Sequence, residues 1–232
     1  MEIIGIIGAM EEEVLTLKEK MELKEVRSIA SLEFYVGSMS GASVVVVKGG
    51  VGKVNSAVCT QILIDCFHVD AIINTGVAGG LSDVLNIGDV VISRDTIQHD
   101  MDATGFGYAL GEVPRMGCIA YKADQHLIKI AKNATDVLSS ATNVYVERIV
   151  SGDQFISDLK KKKWLLDKFD AYCTEMEGAA VAQASYLNKI PFVIIRSISD
   201  KADDSAEMNF NEFTQLAASN SCKIIIKMLE LI

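Results

Sequence analysis

The stretch Ala71-Ile72-Ile73-Asn74-Thr75-Gly76-Val77-Ala78-Gly79-Gly80 joins an apolar run to a cluster of glycines, and its reading decides the fold. Ala71–Thr75 predicts a strand covered on both faces, because no charge alternates with its apolar residues. The glycines predict the loop that follows it. Their missing side chains either serve a flexible turn or leave room for a flat ring. The spacing is not GxGxxG, so a dinucleotide fingerprint is absent.

The same strand-then-loop pattern recurs outward from this segment. Ile3–Ile7 runs into Gly8-Ala9-Met10-Glu11-Glu12-Glu13, and Val44–Lys48 into Gly49-Gly50-Val51-Gly52. Tyr145–Ser151 meets Gly152-Asp153-Gln154-Phe155, Ala171–Thr174 meets Glu175-Met176-Glu177, and Phe192–Ser197 meets Ile198-Ser199-Asp200. Phe34–Ser38 and Val90–Ser93 complete the expected strands. Helical periodicity covers about Glu11–Met21, Lys53–Cys66, Asp124–Val137, Leu159–Lys168, Gly178–Leu187 and Asn211–Leu231. A hairpin at Gly41 makes the sheet mixed, so the fold class is α/β with a mixed central sheet flanked by helices. Ligands of open α/β sheets bind outside the carboxyl ends of the strands, which predicts that these glycines and carboxylates meet on one rim.

Composition narrows the function classes. Of 232 residues half are hydrophobic and 23% charged, a globular balance. The net charge of −9 argues against binding nucleic acid or an anionic membrane through bulk charge. With two prolines, Pro114 and Pro191, and no linker-like stretch, residues 1–232 read as a single domain. Glu11, Glu12 and Glu13 follow the first apolar run, the wrong charge for a secretory leader, and no run reaches the roughly 18 residues of a membrane span. Five cysteines without a CxxC pair suit reduced thiols, so the expected location is the cytoplasm.

Several tempting motifs fail on inspection. Lys48-Gly49-Gly50-Val51-Gly52-Lys53 resembles a phosphate loop, but Val54 has no hydroxyl for magnesium and Val47 stands where the first glycine is needed. A tight turn that lets backbone approach a small ligand explains these glycines better. His99-Asp100-Met101-Asp102 lacks metal-ligand spacing and reads as a polar loop. Lys160 to Lys163 read as a solvated helix face. The carboxylates carry more. Glu177 stands at a helix start, which favours its ionised form, whereas Asp200 follows an apolar strand where burial would raise its pKa. A protonatable Asp and two glutamates on one rim suit bond cleavage through a cationic transition state.

Together, Gly8 to Glu13, Asn74-Thr75-Gly76 with Ala78-Gly79-Gly80, Ser151-Gly152-Asp153 with Phe155-Ile156, Glu175-Met176-Glu177, and Arg196 to Asp200 closely resemble the 5′-methylthioadenosine/S-adenosylhomocysteine nucleosidase family. The match runs in order through nearly the whole chain. Glu-Met-Glu and Ser-Asp are shared by the wider nucleoside phosphorylase superfamily, and the GAMEEE start is specific to the nucleosidase branch. The resemblance implies a nucleoside phosphorylase-like, partly barrel-like sheet, a homodimer, and hydrolysis of adenosine thioethers to adenine and a thioribose without metal or organic cofactor. At matching positions it implies that Asp200 protonates N7 of adenine, Glu13 activates water and Glu177 binds the ribose hydroxyls. Phe155 would stack on the purine, the backbone of Ile156 would read its edge, and Met176 would pack beneath the ribose. Ala78, Gly79 and Ser199 would border the base, while Met10, Val51 and Phe210 would line the thioalkyl pocket. Phe106 and Pro114 match positions lent by a partner subunit. Val77, Ala103 and Lys201 depart from residues common in the family and bear on the 5′-substituent preference, which includes 5′-deoxyadenosine.

A phosphate-dependent purine nucleoside phosphorylase is the competing enzyme, and a non-catalytic adenine-nucleoside sensor the competing binder. A phosphorylase needs cations beside the sugar. Here the first glycine loop carries three glutamates, and the first arginine is Arg27.

Overall fold

The computed structural model describes residues 3–232; Met1 and Glu2 lie outside the described residues. Its centre is β5 (Ala71–Gly80), buried along its entire length. One edge of β5 pairs in parallel with β10 (Phe192–Asp200). The other edge is shared by two strands: β1 (Ile3–Gly8) runs parallel to its first half, and β9 (Cys173–Glu175) antiparallel to Gly79 and Gly80. From β10 the pairing continues through β6 (Val90–Gln98) and β8 (Val144–Ser151) back to β9. These pairings close a five-stranded barrel, which leaves none of its strands an open edge. From β1 the sheet extends outward through β4 (Ala42–Lys48), β3 (Leu32–Met39) and β2 (Glu22–Ile29), while β7 (Tyr121–Lys122) adds to β6. The expected mixed, partly barrel-like sheet is therefore present.

Helices cover this sheet: α1 (Glu11–Lys20), α2 (Lys53–Phe67), α3 (Gln125–Asn133), α4 (Leu159–Phe169), α5 (Gly178–Asn188) and α6 (Ala206–Leu231). Their ends follow local chemistry. Asp124 accepts the N–H groups of His126 and Leu127 to start α3, and Asp158 accepts that of Lys161 to start α4. The long α6 lies across β5 and β10. Between the layers, Ile4, Ile6, Ile72, Ile73, Val193, Ile194 and Ile195 form part of one continuous apolar core. Each such side chain contributes about 1.5–3 kcal/mol by leaving water.

The structure corrects several expectations. Gly76 to Gly80 are not a loop but the second half of β5, with Gly76 to Gly79 laddered to β10 from Arg196 to Asp200 and Gly80 paired with Cys173 of β9. Asp200 likewise ends β10 instead of following it. A register shift between Ile198 and Asp200 makes Ser199 an extra residue, a bulge that turns two consecutive side chains toward one side. β9 begins two residues later than expected and runs antiparallel to β5. Glu175 thus reaches the rim at the end of a short strand that runs parallel to β8 and closes the barrel onto β5. β2 was not anticipated, and α6 starts five residues before Asn211. Within the basic run of α4, Lys162 is buried, with its ammonium on the Lys201 carbonyl at 2.9 Å, so this part of the run is no solvated face.

Glycine at position 76 is required by its neighbours. A Cβ there would overlap the Arg196 guanidinium and come within 2.5 Å of Glu13 Oε1. Gly76→Ala is expected to destabilise the protein by at least about 1–3 kcal/mol, read from urea unfolding midpoints at unchanged slope. An unshifted midpoint would contradict this packing.

Candidate active site

Beside β5 and β10 lies a cavity of about 380 Å³, walled by residues from distant parts of the chain. It brings together Met10, Glu13, Val51, Ala78, Gly79, Phe155, Met176, Glu177, Ser199, Asp200 and Phe210 from the sequence-predicted set. Ile156 is buried just behind, in a small adjoining pocket with Phe155 and Asp200. Phe106 and Pro114 lie outside the cavity, and Phe106 is 87% exposed. Phe210 belongs to the first turns of α6, not to a loop, and its ring meets that of Phe155 edge to face at 5.7 Å.

Of the three glutamates at the start of α1, only Glu13 is turned inward. Glu11 instead pairs with Lys18 and Lys48. As the third residue of the helix, Glu13 reaches back to the N–H groups of Met10 and Ala9 at 3.0 and 2.7 Å. Its second oxygen accepts the N–H of Val77 at 3.0 Å, which ties α1 to β5. Burial pushes its pKa up, opposed by Arg196 and by these three amides. A carboxylate so fixed presents its remaining lone pairs to the cavity in one orientation.

Glu175 and Glu177 share a fully buried cation. Arg196 donates to Glu175 Oε2, to Asn74 Oδ1 at 2.6 Å, and lies 3.6 Å from Glu177 Oε2. Glu175 also accepts the Ser151 hydroxyl and the N–H groups of Glu177 and Gly178, which anchors the start of α5. Glu177 accepts the N–H of Gly52 at 2.9 Å, where Gly52 has φ +97°. That bond draws the Gly49–Gly52 turn to the cavity, the close backbone approach expected of it. The helix start does not keep Glu177 strongly acidic: burial, then the Glu175 charge, push it up to about 7. Neither Arg196, Asn74, Ser151 nor Glu175 was singled out from sequence as a site residue. Their signal was present as polar residues inside otherwise apolar strands.

Asp200 sits at the opposite end of the same wall. Its oxygens accept the N–H of Ala202 at 2.8 Å and the hydroxyl of Ser199 at 2.9 Å. Burial raises its pKa against both bonds, in the direction expected from the apolar strand before it. Glu13 lies against Gly76 and Asp200 against Gly79, three residues apart on β5 and hence roughly 10 Å along the strand.

Two tempting groups lie outside the cavity lining. Lys53 of the false phosphate loop bonds Asp100 at 2.6 Å and Gln98 at 3.0 Å. His99 lies in the turn after β6, as expected, but is buried; among the described residues neither nitrogen has a partner, and burial pushes its pKa down to about 4. Its ring packs onto Gly152, where no Cβ would fit.

Known proteins share this architecture. The phosphorylase superfamily profile matches residues 3–230. A 5′-methylthioadenosine/S-adenosylhomocysteine nucleosidase of Staphylococcus carnosus is 46% identical over 228 residues, 98% of this chain and 99% of that one. The nucleosidase of Neisseria meningitidis in complex with methylthio-immucillin-A superposes with TM-score 0.97 at 39% identity, with 100% of both chains covered. Futalosine hydrolase of Helicobacter pylori gives TM-score 0.94 at 32% identity, covering 100% of this chain and 98% of that one. By its matching profile, near-full-length identity and superposed fold, the chain belongs to the 5′-methylthioadenosine/S-adenosylhomocysteine nucleosidase family within the phosphorylase superfamily.

Proposed function

We propose that this chain is an N-glycosyl hydrolase that cleaves 5′-methylthioadenosine and S-adenosylhomocysteine, and 5′-deoxyadenosine as well, releasing adenine. One observation carries hydrolysis over phosphorolysis. Among the described residues, the cavity is walled by Glu13, Glu175, Glu177, Asp200 and Glu207, and by no Lys, Arg or His. A phosphate dianion beside such a wall would be strongly repelled at low dielectric, whereas water and a developing cation would not.

In this reading Asp200, whose pKa burial raises, gives a proton to N7 as the bond to the sugar breaks. Negative charge that would accumulate on the purine is thereby neutralised. Glu13 orients a water and takes a proton from it as that water attacks C1′. Glu177 binds the ribose hydroxyls, with Met176 beneath the ring. Phe155 stacks on the base and the Ile156 backbone reads its edge, while Ala78, Gly79 and Ser199 border it. Met10, Val51 and Phe210 receive the 5′-thioalkyl group. Each acid–base role contributes about 10²–10⁴ in rate. No cofactor enters these steps.

The working form in this reading is a cytoplasmic homodimer with a role in methionine salvage. Val51 and Phe155 at the cavity and Val54 and Val58 on α2 expose apolar surface, the kind of surface a second subunit covers. A partner's Phe106 and Pro114 would then close the thioalkyl end. Cys59, Cys66, Cys118, Cys173 and Cys222 are all free thiols, which suits a reducing compartment. Among the described residues no helix is long and apolar enough to cross a membrane.

Adenine release from 5′-methylthioadenosine is expected at the same rate with and without phosphate, followed by chromatography of the free base. Dependence on phosphate would favour a phosphorylase, and no release in either case a sensor. Asp200→Asn and Glu13→Gln should each lower kcat by about 10²–10⁴ while substrate still binds in a calorimetric titration; near-wild-type turnover removes that residue from its role. Sedimentation at micromolar concentration should give a dimer, and a fully active monomer would contradict the shared site.

A further inference from the structure

Lys162 is the buried member of its basic run, with a side chain 10% exposed. Its ammonium donates to the carbonyl of Lys201 at 2.9 Å. The carboxylate of Asp83 stands 3.9 Å away but is 94% exposed, so solvent screens that pair. Withdrawing an ammonium from water onto a backbone carbonyl is unfavourable by itself. Its value lies in what the carbonyl is attached to.

The Lys201 carbonyl and the Ala202 N–H are the two ends of one planar peptide group. That N–H donates to Asp200 Oδ1 at 2.8 Å. Ala202 has φ +50° and is completely buried, packed close to Gly79, so the turn here is tightly constrained. A cation on the carbonyl end polarises the peptide and strengthens the bond its N–H makes. Three groups thus stand in series: ammonium, peptide, carboxyl.

We propose that Lys162 is a positioning residue for Asp200, its ammonium fixing the 201–202 peptide whose N–H in turn fixes the carboxyl group facing the cavity. This rests on the reading of Asp200 as the acid. Few other charges bear on the pair. Asp203 faces Asp200 from the following turn and Cys173 faces it from β9, while Asp83 and Asp203 face Lys162. Lys201 turns its own ammonium away to the carbonyl of Leu85. Burial raises the pKa of Asp200 most, Asp203 adds to the rise, and Lys162 opposes it. Removing the Lys162 charge therefore raises Asp200 further. Because an acid must carry its proton to act, the alkaline limb of kcat/KM then moves to higher pH.

The test is adenine release from 5′-methylthioadenosine across pH by wild type, Lys162→Met and Lys162→Arg, with Asp200→Asn alongside. Lys162→Met is expected to lose roughly tenfold or more in kcat with little change in KM, and its alkaline limb should move upward. Lys162→Arg, which keeps the cation, should recover both. Should Lys162→Met fail to fold by circular dichroism, Lys162→Gln carries the same comparison. A limb that stays in place in the neutral variant, whether or not kcat falls, overturns the proposal and leaves Lys162 a packing role. Wild-type turnover by Asp200→Asn instead overturns the reading of Asp200 itself, so the two failures are distinguishable.

Discussion

A single guanidinium, buried without solvent contact, holds the acidic side of this cavity together. Arg196 pairs with Glu175, approaches Glu177 and is itself fixed by Asn74 and the Thr75 carbonyl. Removing one member of such a cluster leaves an uncompensated charge, typically a loss of about 3–5 kcal/mol. The consequences spread along the chain. Glu175 anchors the start of α5, the start of α5 presents Glu177, and Glu177 draws in the Gly52 turn. Space for the guanidinium comes from Gly76, its partner in the β5–β10 ladder. The glycine on one strand and the arginine on the next therefore satisfy one steric constraint.

The same arrangement decides what the cavity can receive. Arg196 stands behind Glu175 and Glu177 and donates to Glu175, Asn74 and the Thr75 carbonyl, and Lys53 spends its ammonium on Asp100 and Gln98. The nearby cations thus neutralise structural carboxylates and do not reach for an anion. A nucleoside phosphorylase needs the opposite arrangement, with cations facing the sugar. Fold alone does not separate the two reactions, since the superfamily carries both; the direction in which the charges face does.

Much of this was legible in the sequence because the carboxylates and glycines stand at strand ends, where motif and chemistry coincide. Glu177 and Asp200 stand out that way, Glu13 through the family resemblance, and all three wall one cavity. What escaped has physical reasons. Glycines usually punctuate turns, so Gly76 to Gly80 looked like a loop; here they make room for Arg196, Glu13, Asp200 and Ala202 within a paired strand. β2 carries a bulge between Leu23 and Glu25 that breaks its period of two, and nearly all its residues are exposed, so no apolar alternation marked it. Lys162 was hidden among three other lysines, because burial of one charge in a basic run depends on what packs against it. Arg196 was quoted within a motif but given no role, since its partners come from β5 and β9, far away in sequence.

The raised pKa values of the cavity carboxylates form part of the catalytic argument. Burial, then the Glu175 charge, push Glu177 up to about 7, and burial raises Glu13 and Asp200, so holding all of them ionised is unfavourable. A neutral nucleoside relieves little of this. A ribosyl centre that becomes positive as its bond to the base stretches relieves much more, because Glu13 and Glu177 gain an opposite charge inside a medium of low dielectric. That attraction is stronger in the transition state than in the bound ground state, which is the condition for lowering a barrier and not merely tightening binding. Asp200 takes the complementary part. Its burial raises its pKa against a single peptide N–H and one hydroxyl, the direction that the proposed acid needs. In the proposed reaction, buried carboxylates held in place by one arginine thus favour a cation that exists only while the bond is breaking.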